Sequence, residues 1–226
     1  MLFLAVLLSA ACAISVRFFL KAYYQGDFVR AFWLKGAAAL FFIAVGISFL
    51  IWRGGSADSS LIACGLILGL VGDQLLAMRL IHRKFHDPFF IAGALSFGVG
   101  HVFYMLSLQK TGAVRLWLVI PILIIGVLAS LAYARRRGTD VQEKTPLAAG
   151  YIVLVLLMAS MAVCVAVTTR SVFGILFALG GFLFSLSDNI LCAYSFGKDP
   201  VWKMNRDLHI TYYGAQLAIA WSIFFV

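Results

Sequence analysis

Two aspartates, Asp73 and Asp188, lie well inside long apolar stretches. The other seven acidic residues (Asp27, Asp58, Asp87, Asp140, Glu143, Asp199 and Asp207) fall in polar connections or at their edges. A carboxylate near the centre of a membrane-spanning helix costs about 2.5–3.5 kcal/mol on insertion scales, so residues of this kind are rare and by default mark function. The two sit in similar surroundings. LGLVGDQLLA at 68–77 is echoed by LFSLSDNILCA at 183–193, each with a small residue, Asp, an amide, one further residue and Leu; the aspartates stand 115 residues apart, from 73 to 188. Two such carboxyls could serve as acid and base, or as a proton relay. The plain alternative is a structural polar contact, for example a pair with Lys35, the one basic residue inside an apolar stretch.

Other polar side chains gather at comparable depth. Asp73 precedes Arg79 by six residues, which at about 1.5 Å per residue is about 9 Å of helix. Asp188 precedes Lys198 by ten, Lys35 follows Arg30 by five, and Tyr212 follows Arg206 by six, with Gln216 one turn deeper. His101 and Tyr104, past Pro88, lie nearer the middle of their segment. Asp73 and Asp188 are therefore the candidate catalytic residues, with Lys35, His101, Tyr104, Asn189, Tyr212, Tyr213 and Gln216 as supporting or substrate-binding candidates. Each of these also has a purely structural reading. Lys35 could snorkel to the interface, the tyrosines could belong to an aromatic belt, and Gln216 could join two helices.

Other chemistries lack their residues. Zinc hydrolysis needs three or four His, Cys or carboxylate ligands, but of the four histidines His82, His86 and His209 read as lying in or beside loops. There is no GxSxG elbow, P-loop or dinucleotide fingerprint. GVGH at 98–101 reads as a small-residue packing patch. Cys12, Cys64, Cys164 and Cys192 all fall in apolar segments without pair spacing, as small buried residues do. No metal and no cofactor is expected.

The elements that must position these residues are membrane helices. The chain has 226 residues, 63% of them hydrophobic and 12% charged, and its mean hydropathy is +1.01. A soluble domain of this size could not hide so much apolar surface. A spanning helix needs about 20 apolar residues, and segments at 2–16, 31–52, 60–78, 88–108, 114–134, 146–169, 171–194 and 208–226 supply about eight. The expected fold is an all-α integral membrane bundle of about eight transmembrane helices, one transmembrane domain over 1–226. The two aspartates would lie on the third and seventh helices, which run in the same direction. Read as an internal repeat, the echo would be a parallel one. The first segment has no basic residue before it and no clear cleavage site, and reads as a span.

The net charge of +9 is not a sign of nucleic-acid binding here, because the basic residues sit at helix ends. Thirteen lie in the odd-numbered connections (Arg17, Lys21, Arg30; Arg79, Arg83, Lys84; Arg135, Arg136, Arg137, Lys144; Lys198, Lys203, Arg206) and four in the even ones (Arg53; Lys110, Arg115; Arg170). The positive-inside rule then predicts cytoplasmic odd loops and both termini outside. The candidate site would fall in the cytoplasmic half of the membrane.

In order along the chain, GD in LVGDQLL, GH with a following Tyr in FGVGHVFY, SD in LFSLSDNIL, YYGAQ in the last span, and Lys35 in the second span resemble the YhhN-like family of membrane proteins. The likeness extends over most of the chain. One departure is Gly36, where the family pattern has Pro after the lysine. The resemblance implies a lysoplasmalogenase, a hydrolase that cleaves the vinyl-ether bond of lysoplasmalogens to a fatty aldehyde and a glycerophospho-base. Its partners would be the lysophospholipid substrate and membrane lipids. The residues suit that chemistry. Protonation of the alkene carbon gives an oxocarbenium ion, water adds, and the hemiacetal collapses; this needs a protonated carboxylic acid and a nearby anion or base, as in glycosidases. Which aspartate is the acid stays open at this level. The competing class is a proton-coupled transporter or lipid-binding protein that uses the Asp73 and Asp188 pair without hydrolysis. The broken helices that such transporters carry in matching halves have one counterpart at most here, Pro121.

Overall fold

The structure is a computed structural model that describes residues 1–140, 145–198 and 201–226. Glu143, Lys144 and Asp199, assigned above to polar connections, lie outside the described residues. The described residues form eight α-helices: α1 (Leu2–Tyr24), α2 (Phe28–Trp52), α3 (Ala57–Ile81), α4 (His86–Lys110), α5 (Leu116–Arg137), α6 (Thr145–Thr169), α7 (Val172–Phe196) and α8 (Trp202–Ser222). Seven of them, α1 to α7, are long and apolar enough to cross a membrane. Many large apolar side chains point outward, among them Phe3, Trp33, Trp117 and Ile125. In water that surface would be untenable; in hydrocarbon it is the expected exterior. The chain is an all-α membrane protein.

Helix α8 starts six residues earlier than hydropathy indicates, because its first turns carry Lys203, Asn205, Arg206 and Asp207. His209, read from sequence as lying beside a loop, is in fact buried within this helix, and its Nδ1 lies 2.7 Å from the Asn205 carbonyl one turn back. A hydropathy window sees only the charged turn; it does not see that the same turn presents Asn205 and His209 inward.

Helix ends follow from local chemistry. Asp27 caps α2 by accepting from the Arg30 N–H, Ser56 caps α3 by accepting from the Ser59 N–H, and Ser171 caps α7 by accepting from the Gly174 N–H. A side-chain cap of this kind contributes about 1 kcal/mol. Helix α5 stops at Gly138, which takes the left-handed conformation (φ 58°) that a glycine adopts without a Cβ clash. The α6–α7 turn is as tight as the spacing predicts. Arg170 takes φ 51° there, and Thr169 Oγ1 and Ser171 Oγ lie 2.8 Å apart across it.

The chain forms two compact units. The first comprises Met1–Ser107 and Ile223–Val226, the second Leu108–Ser222. In the first, α1 packs on α2 and α2 on α3. Helix α4 rests on α3 through glycines: a Cβ on Gly65 would run into the Tyr104 ring, and one on Gly72 into Phe97. Ser96 of α4 donates to the Leu68 carbonyl of α3. The last residues close this unit, with Phe224 stacked on Trp52 at 5.0 Å. In the second unit α5 packs on α6, α6 on α7 and α7 on α8. A Cβ on Gly180 would meet Ile219 of α8, and one on Gly181 would meet Ala159 of α6.

The two units repeat one plan, considered each within itself. The bounds of α3, 57 and 81, become those of α7, 172 and 196, on adding 115. The same offset carries the capping Ser56 to Ser171 and Asp73 to Asp188. It carries the contact of Gly65 with Tyr104 to that of Gly180 with Ile219. It also carries Gly100, which abuts the Gly65 carbonyl, to Ala215, whose carbonyl abuts Gly180. The short echo in the sequence is thus the visible part of a correspondence between two four-helix layouts.

Candidate functional site

Asp73 is placed by the packing face of α3. Gly65, Leu66, Gly69, Gly72, Asp73 and Ala77 are buried at helical spacing, while Ile67 and Val71 are exposed on the opposite side. The glycines bring α4 close and leave Asp73 directed inward. Lys35 of α2 meets it: its Nζ lies 2.9 Å from Asp73 Oδ1, and both side chains are buried. Of the two readings of Lys35, the structure gives the ion pair. Cys12 of α1 lies within electrostatic reach of the same carboxyl.

Gly36 acquires a reason in this setting. A Cβ at position 36 would stand 2.8 Å from Gln74 Nε2. The glycine therefore makes room for the amide that follows Asp73, where a proline ring would press on it. That Gln74 Nε2 is buried and makes no hydrogen bond among the described residues.

His101 and Tyr104 are both buried on α4, with ring centroids 6.0 Å apart in an edge-to-face arrangement. Tyr104 packs over Gly65, eight residues and so about 12 Å along α3 from Asp73. Its position is that of a core aromatic two turns removed from the carboxyl.

Asp188 is placed by the corresponding face of α7, where Gly180, Gly181, Phe184, Ser185, Ser187 and Asp188 are buried and Leu179, Phe182 and Leu186 are exposed. Its partner is Tyr151 of α6, whose hydroxyl donates to Asp188 Oδ2 at 2.9 Å. Sequence reasoning missed Tyr151, since a tyrosine near the end of a span reads as a belt residue. The repeat could have found it: adding 115 to Lys35 points to position 150, one residue away. Each carboxyl thus takes its partner from the preceding helix of its own unit, at nearly the same register. Each also lies eight residues from the end of its helix, at 81 and 196, about 12 Å at helical rise.

The remaining candidates fall in the second unit. Asn189 donates its amide to the Ser185 carbonyl on its own helix at 2.8 Å, which uses that donor locally. Ser187 donates to the Leu208 carbonyl and ties α7 to α8. Tyr212 and Tyr213 are buried, with rings 5.0 Å apart, and Tyr212 stands edge-on to Phe184 at 5.4 Å. Gln216 Nε2 donates to the Tyr212 hydroxyl at 3.1 Å. These are interior polar groups and not an aromatic belt.

Two clefts open along α5, α6 and α7 within the second unit. One of about 320 Å³ is lined by Ile122, Gly126, Leu156, Val163, Phe182 and Leu186 among others. The other, of about 390 Å³, runs past Val127, Leu131, Ile152 and Val153 to Arg135 and Cys192. Both are bordered by Ser130, Tyr133 and Asn189. Their volumes fall in the range of small-molecule sites, about 300–1,000 Å³. Their apolar walls suit an alkyl chain, and Asn189 and Cys192 put them within a turn of Asp188 on α7. Among the described residues no three of His, Cys, Asp and Glu gather as metal ligands would.

Neither the curated proteins nor the solved structures include a significant match to this chain. The family model of the YhhN family matches residues 30–223, a stretch that holds Lys35, both aspartates and the tyrosines of α8. With most of its length so matched, the chain belongs to the YhhN family.

Proposed function

We propose that this protein is a membrane-embedded hydrolase that cleaves the vinyl-ether bond of lysoplasmalogens. The observation that carries the reading is that Asp73 and Asp188 are the buried acidic side chains among the described residues, each met by a donor from the preceding helix of its own unit. A buried carboxyl at the cost of insertion calls for a task, and two with different partners supply an acid and a base.

The reaction balances on those two groups. One carboxylic acid gives its proton to the alkene carbon beside the ether-bearing carbon, leaving an oxocarbenium ion on the latter. Water adds to that ion, and the second carboxyl takes the proton which the water loses. The hemiacetal then breaks its bond to the glycerol oxygen, which leaves as a hydroxyl while the former hemiacetal oxygen becomes the aldehyde carbonyl. The step calls for no metal and no cofactor. The apolar clefts beside Asn189 would take the alkenyl chain, and Arg135 at the end of one would meet the phosphate. The 13-to-4 distribution of basic residues supports a topology with both termini outside the cytoplasm and the carboxyls in the cytoplasmic half.

The test is mass spectrometry of products from three lysolipids of equal chain length incubated separately with purified protein in detergent. The vinyl-ether lipid should yield fatty aldehyde. The alkyl-ether lipid lacks the double bond, so it should bind, compete and stay intact; the ester lipid should also survive, for want of a nucleophile. Fatty acid released from the ester at a comparable rate would make the protein a lipase. Cleavage of none of the three would favour a proton-coupled transporter or a lipid-binding protein.

A further inference from the structure

The two units hold corresponding carboxyls with chemically different partners. Asp73 lies 2.9 Å from the ammonium of Lys35, a cation buried with it. Asp188 is bonded by the phenol of Tyr151, a neutral donor, and among the described residues no cation stands within ion-pair distance of it. A thiol lies within electrostatic reach of each, Cys12 for Asp73 and Cys192 for Asp188. Burial of an ion in an apolar surround is tolerated when an opposite charge compensates it and is costly when none does. The charge of Asp73 is compensated by Lys35. A charge on Asp188 would have one neutral hydrogen bond in its place.

We infer that the different partners split the acid and base roles: Asp188 carries the proton that goes to the alkene carbon, Asp73 is the carboxylate, and Tyr151 is a positioning residue for the acid. This rests on the hydrolase reading above and assigns its two roles. The phenol hydrogen bond engages Oδ2, which leaves Oδ1 as the oxygen that bears and delivers the proton. Fixing one oxygen in this way also fixes the direction of the O–H. Lys35 keeps Asp73 anionic, the state that the base of the proposed reaction requires. After each turnover Asp188 lacks a proton and Asp73 has gained one, and exchange with water restores both.

Infrared spectroscopy of the purified protein at neutral pH reads the charge state without reference to activity. A protonated carboxyl shows a C=O stretch separate from the carboxylate bands. Wild type should show one such buried band. Asp188→Asn should abolish it and Asp73→Asn should leave it. Tyr151→Phe should move it to higher frequency, as loss of a hydrogen bond to the carbonyl requires, and should lower kcat with little change in KM. Lys35→Met should add a second protonated band from Asp73; if that variant does not fold, the two Asn variants still decide. Loss of the band in Asp73→Asn with retention in Asp188→Asn would overturn the assignment, as would the absence of any such band in wild type. An unshifted band in Tyr151→Phe would remove Tyr151 from its role. If the bands follow the expected pattern but no aldehyde is released from a vinyl-ether lysolipid, the charge assignment stands and the hydrolase reading falls.

Discussion

At the scale of residues, Lys35 and Tyr151 differ in what their loss would leave behind. Lys35→Ala removes the cation beside the buried Asp73 carboxyl, which must then take up a proton or carry its charge without that partner, a change that typically costs about 3–5 kcal/mol. The double variant Lys35→Leu with Asp73→Leu removes both charges and should recover most of that. Thermal unfolding in detergent measures it: a large fall in Tm for the single change and a small one for the double. Equal falls would mean that the pair does not act as a unit. Tyr151→Phe keeps the ring and loses one hydrogen bond, so about 1 kcal/mol of stability is at stake. The sequence alone made the aspartates plain, because an acid inside an apolar run has few innocent explanations. It left Lys35 open, because snorkelling and ion pairing place the same residue type at the same depth. It hid Tyr151, because a tyrosine close to a basic helix end has an ordinary interfacial role.

At the scale of elements, glycines on α3 and α7 decide how closely the partner helices approach, and so where the aspartates point. Gly65 lies under the Tyr104 ring and Gly180 under Ile219. Gly65→Ala should cost about 1–3 kcal/mol by overpacking, and trimming the ring in Tyr104→Leu should relieve it. A Tm of Gly65→Ala equal to that of wild type would show that α4 can move away freely. Most helix positions were legible from apolar run length, and the tight α6–α7 turn from the single residue between two runs, but α1 runs on to Tyr24 through Arg17 and Lys21, eight residues past the apolar segment 2–16. The start of α8 was not. Its first turns are charged outside and polar inside, and hydropathy averages over both. The repeat was legible only as ten residues around each aspartate. Its other correspondences are glycine contacts and serine caps, which involve residue types too common to stand out in one sequence.

At the scale of the whole molecule, orientation follows from basic residues at the helix ends and not from the helices themselves. A reporter fused after Val226 and active only in the cytoplasm should stay silent, since both termini are predicted outside. Activity of that reporter would place the carboxyls in the opposite half of the membrane. The central claim concerns the two carboxyls as a catalytic pair, and one measurement addresses it most directly: the rate of aldehyde release from a vinyl-ether lysolipid by wild type, Asp73→Asn and Asp188→Asn. Asp188→Asn should remain folded, since an amide in the membrane is no costlier than a carboxylate. Asp73→Asn takes the carboxylate from beside buried Lys35, so it is measured together with the double variant Lys35→Met with Asp73→Asn. Each folded variant should lose at least about a hundredfold in turnover, the lower range for a positioned acid or base. Folded variants that release aldehyde at the wild-type rate would contradict the account.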